Sequence, residues 1–90
     1  MSEKVQTLHP DPTKKGVNID KDKYEFIREK VLKIIKDHQP LTPTDLFEHM
    51  SKLESEFDGK IGWYTMSLKL DLEARNAIKH DRKSRMITLL

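Results

Sequence analysis

Ninety residues, 36% of them hydrophobic and 36% charged, give room for one small domain with a single modest core. The absence of cysteine excludes a disulfide framework, a thiolate nucleophile and any sulfur-ligated metal centre. Seventeen Lys and Arg against fifteen Asp and Glu leave a net charge of only +2, so the chain as a whole is no polycation bound to seek nucleic acid.

Residues 1–19 contain Pro10, Pro12 and Gly16 and no sustained period, and read as a flexible or loosely docked arm. The opening MSEKVQTLHPDP has no apolar leader core, and no apolar run approaches the length of a membrane span, so the expectation is a cytoplasmic protein without a membrane partner. Within the arm, Val17, Asn18 and Ile19 can pair with a sheet edge as a short additional amino-terminal strand. Asp20 or Asp22 can then cap a helix running to His38, because Tyr24, Ile27, Val31 and Ile35 recur at spacings of three and four. Phe26 and Leu32 fall off that stripe and are free to meet the arm or a partner.

His38, Gln39 and Pro40 stop the first helix, and LTPTD starts another, with Thr42 as cap, Pro43 at the first helical position and Asp45 placed to reach back. This second helix, over about residues 43–53, should bury Leu46, Phe47, Met50 and Leu53. SESEFDGK predicts an irregular turn in which Phe57 is pinned to the core. A third helix is expected within residues 61–75, ended by Asn76 in the left-handed conformation. Residues 77–89 then read as two strands joined by the polar, basic loop HDRKS. The fold class is α+β, three helices followed by a β-hairpin.

In that last transition, LEARNAIKHDRKSRMITL, the residues Leu72, Glu73, Asn76 and Ile78 resemble the passage from third helix into wing of the winged helix-turn-helix proteins, and the resemblance covers about residues 20–90. The stretch GWYTMSLKLDLEARNAI also resembles a small group of uncharacterised bacterial proteins of that fold. After the arm (1–19), the resemblance implies a winged-helix domain (20–90), with the third helix in the DNA major groove and the hairpin loop on backbone or minor groove. It thus implies a small binder of double-stranded DNA, such as a transcriptional regulator, and such proteins commonly act as dimers. Carried onto this chain, the helix would offer Lys60, Trp63, Thr65, Met66 and Lys69, and the wing Arg82, Lys83 and Arg85. Charge agrees in sign: residues 58–90 hold seven basic and four acidic side chains, a local +3, whereas residues 22–57 hold six and eight, a local −2.

The third helix supports a rival reading. At 100° per residue Ile61, Tyr64, Thr65, Leu68 and Leu72 gather on one side, while Trp63, Met66 and Leu70 gather nearly opposite. One set is core; the other is then an exposed apolar patch of the kind enriched in protein interfaces. Phe26, Leu32, Trp63, Met66 and Leu70 are the candidate contacts of a homodimer or of a protein partner bound without DNA. Asp71, if it shared a surface with Lys69, would repel phosphate.

Nothing in the sequence assembles a catalytic site. His9, His38, His49 and His80 sit in four different elements without ligand spacing, Ser51 and Ser55 have no base partner, and Gly16, Gly59 and Gly62 form no phosphate loop. The expectation is a non-enzyme with no cofactor and no metal.

Overall fold

The structure, a computed structural model, describes residues 3–57 and 59–90; Met1 and Ser2 of the arm and Asp58 of the turn SESEFDGK lie outside the described residues. Helix α1 (Lys21–His38) forms where its apolar stripe is most regular, and Tyr24, Ile27, Val31 and Ile35 are all buried. Its capping departs from expectation. Asp20 is the cap residue but its side chain makes no capping bond, because the chain enters α1 directly from a strand and the Lys21 amide donates instead to the Glu3 carbonyl at 2.8 Å. That strand, β2 (Asn18–Asp20), pairs antiparallel with β1 (Lys4–Gln6), so the arm's own beginning supplies the partner. Between the strands Gly16 lies so close to Thr7 that a Cβ would collide with the Thr7 carbonyl.

Helix α2 (Pro43–Ser51) carries the expected capping box: the Asp45 amide donates to Thr42 Oγ1 at 3.1 Å, and the Thr42 amide to Asp45 Oδ2 at 3.4 Å. Leu46 and Met50 are buried, while Phe47 and Leu53 are half-buried. The helix stops short of Leu53, and a 3-10 turn over Glu54–Glu56 tightens the chain toward Phe57. Helix α3 (Ile61–Ala74) ends as a Schellman turn. Asn76, at φ 61°, donates to the Glu73 carbonyl at 3.1 Å, and the Ala77 amide donates to the Leu72 carbonyl at 2.9 Å.

Strands β3 (Ile78–His80) and β4 (Ile87–Leu89) form the second antiparallel hairpin, with Ile78 opposite Leu89 and His80 opposite Ile87. Leu41, in the connection between α1 and α2, adds a further rung by exchanging two backbone hydrogen bonds with Ile87, at 3.3 and 2.7 Å. One core joins all of this: residues of α1, α2, α3 and both hairpins converge on Ile27, Ile35, Leu46, Leu68, Leu72 and Ile87. Three helices followed by a wing-like hairpin, with a second hairpin ahead of them, form a small α+β domain consistent with a winged-helix-like topology. Among the described residues no helix is long and apolar enough to cross a membrane.

Candidate functional site: the outer face of helix α3 and the wing groove

Of the two apolar sides of α3, the one carrying Ile61, Thr65, Leu68 and Leu72 is the core side, with Tyr64 half-buried at its edge. The opposite side is outside: Trp63 is 48% and Met66 55% exposed, with Leu70 half-buried one turn on. This placement corrects the expectation for Thr65. It falls on the Ile61, Leu68 and Leu72 stripe, is fully buried and cannot touch a ligand; its Oγ1 has no hydrogen-bond partner among the described residues. Lys60 is exposed at the start of α3. Lys69 is committed to Glu73 at 3.3 Å and its side chain is only 12% exposed, and Glu73 also lies 3.7 Å from His80 Nδ1.

Phe26 and Leu32 are half-buried against the core instead of standing free. Phe26 stacks on Phe57 at 5.6 Å, Phe57 meets Tyr64 edge-on at 4.9 Å, and Tyr64 meets Trp63 at 5.0 Å. A chain of rings therefore runs from α1 to the exposed tryptophan, and Lys23 Nζ lies over two of them, 5.6 Å from Tyr64 and 5.9 Å from Phe57.

At the wing, Arg82, Lys83 and Arg85 are all exposed. Asp81 shapes this loop by accepting the Lys83 amide at 2.9 Å, a bond that holds its carboxyl below the usual range. Arg85 takes the left-handed conformation, φ 60°. Arg82 and Arg85 also line a groove of about 970 Å³, whose other walls come from the arm loop, the amino end of α2 and the second half of α3. Leu70 belongs to this groove as well as to the outer stripe of α3, so the two surfaces are continuous.

The arm loop is held in place by a residue that sequence reasoning had considered as surface. Asp71 is fully buried, and its carboxylate accepts the Tyr24 hydroxyl at 2.5 Å, the Leu8 amide at 2.8 Å and Arg75 Nε at 2.9 Å. Arg75 Nη2 reaches on to the Gln6 carbonyl at 3.3 Å. Burial, followed by the bond to Asp71, pushes the Tyr24 hydroxyl above its ordinary pKa, and the Asp71 bond makes the Arg75 guanidinium harder still to deprotonate. Asp71 thus faces inward, away from any phosphate. The signal in the sequence was a carboxylate set between Leu68 and Leu72 on an apolar stripe, one turn before an arginine.

The four histidines do not converge. His38 and His49 stack at 4.2 Å where α1 ends against α2, while His9 and His80 line the groove. Among the described residues no group of three or more His, Asp or Glu side chains is placed to hold a metal ion. No curated protein and no solved structure matches the chain. A family model does match, over residues 4–87, and the chain belongs to that family, a family of unknown function (DUF6958).

Proposed function

We propose that the protein is a winged helix-turn-helix module that binds double-stranded DNA, with the outer face of α3 against the major groove and the wing loop on phosphates. The wing carries the reading. Arg82, Lys83 and Arg85 are exposed, and among the described residues none has a carboxylate within ion-pair distance, so all three charges are free for an anionic partner. Lys60 adds a fourth exposed cation at the start of α3. Trp63 and Met66 present apolar surface to base edges and thymine methyl groups.

The test is a salt titration of binding to mixed-sequence duplex DNA by wild type and by Arg82→Ala/Lys83→Ala. Affinity should fall with salt, and the slope of log K against log salt should flatten by about 1 for each phosphate contact removed. No association at low salt would sink the reading.

A second reading, a protein-interaction or homodimerisation module without DNA, is supported by the exposure of Trp63 and Met66 side by side. A stable dimer in sedimentation that Trp63→Ala dissociates, together with no duplex binding, selects it.

A further inference from the structure

The groove beside the wing differs in shape and chemistry from the outer face of α3. It is concave and walled on its far side by the arm loop, with Pro10, Pro43 and Leu70 giving it apolar surface. Four cations line it: Lys14, Lys69, Arg82 and Arg85. Lys69 is neutralised by Glu73 at 3.3 Å. Among the described residues the other lining carboxylate is Asp11, whose Oδ1 accepts the Thr13 amide at 2.9 Å and the Thr13 hydroxyl at 2.7 Å, which fixes the turn carrying Lys14. Setting Asp11 against Lys14, Arg82 and Arg85 leaves two positive charges uncompensated in the groove.

A phosphate monoester carries a charge of about −2 near neutrality and matches that excess, and two arginines suit its oxygens. Thr42, Pro43 and Thr44 place the amino end of α2 on the same groove, but the capping box occupies the Thr42 and Asp45 amides and Pro43 has none, so this end offers an anion only the Thr44 amide and the charge falls to the basic side chains. A volume of about 970 Å³ is far more than an inorganic ion fills. It lies near the upper end of small-molecule sites, roughly 300–1,000 Å³, and the apolar walls then have an organic body to cover.

We infer that the groove binds a small organic phosphate of about nucleotide size, its phosphate held by Lys14, Arg82 and Arg85 and its body lying on Pro10, Pro43 and Leu70. This site does not rest on the DNA reading. Lys14 plays no part in that reading, so a substitution there separates the failure of one from the failure of the other.

The full chain is titrated by calorimetry and thermal shift with AMP and glucose 6-phosphate, beside adenosine, glucose and inorganic phosphate. At least one of the two esters should raise the melting temperature at millimolar concentration. The two unphosphorylated compounds should not, and inorganic phosphate should bind about tenfold more weakly than that ester or worse. Lys14→Ala, and separately Arg85→Asn, should each weaken ester binding by about tenfold. Asparagine tolerates the left-handed backbone at position 85, so the wing keeps its shape in the second variant. The inference is overturned if neither ester binds, if inorganic phosphate binds as tightly as the esters, or if Lys14→Ala leaves ester affinity unchanged. Duplex DNA that displaces a bound ester and shows the same dependence on Lys14 would give the groove to a nucleic-acid strand, and also overturns it.

Discussion

Thr65 stands among Ile61, Leu68 and Leu72 with a buried hydroxyl that finds no partner among the described residues. Taking a hydroxyl out of water without a hydrogen bond is costly, and valine has nearly the same shape without that cost. Thr65→Val should therefore raise stability by about 1 kcal/mol in urea denaturation, with duplex affinity unchanged. Lost DNA affinity in a well-folded Thr65→Val protein would return this residue to the contact surface. Its neighbours show how finely the helix is divided: Tyr64 leans into the ring chain toward Phe57, whereas Trp63 and Met66 look outward. A difference of one position, or 100° of rotation, separates core from surface.

The arm hairpin is tied to the end of α3 by Asp71 and by Arg75, which Asp71 itself holds. Asp71→Ala removes the acceptor of the Leu8 amide, the Tyr24 hydroxyl and Arg75 together, and should cost about 2–3 kcal/mol. Hydrogen exchange locates the effect: the Leu8 amide should lose more protection than the Val31 amide in the middle of α1. Equal losses at both would mean that the arm is not separately latched. The helices themselves were legible in the sequence. Tyr24, Ile27, Val31 and Ile35 gave α1 through their period, Thr42 with Pro43 and Asp45 gave the start of α2, and Asn76 marked the end of α3. The pairing of β1 with β2 was not legible, because three-residue strands carry too little alternation to announce a partner. The groove was less legible still. Its residues come from the arm, α2, α3 and the wing, and no local spacing links Lys14 to Arg85. Only the wing half of it, Arg82 and Arg85, stood out as a basic cluster.

For the molecule as a whole, Tyr24 ties stability to alkaline pH. Burial first, and then the bond to the Asp71 carboxylate, make the folded chain hold the Tyr24 phenolic proton more tightly than the unfolded chain, which releases it at about pH 10. The stabilising contribution is complete below that pH and is lost as pH rises through the folded-state value. Melting temperatures measured upward from about pH 9 should fall for wild type, and the fall should be shallower for Tyr24→Phe. Identical slopes would remove Tyr24 as the cause.

The rung between Leu41 and Ile87 has a mechanical meaning for the same molecule. Two backbone hydrogen bonds fasten the stem of the wing to Leu41, next to the cap of α2, so main-chain bonds join the α2 and wing parts of the groove wall. The facing wall, the arm loop, is tethered to α3 chiefly through the side chains of Asp71 and Arg75. Asp71 does not line the groove, yet through the Leu8 amide it fixes where the arm side of the groove stands.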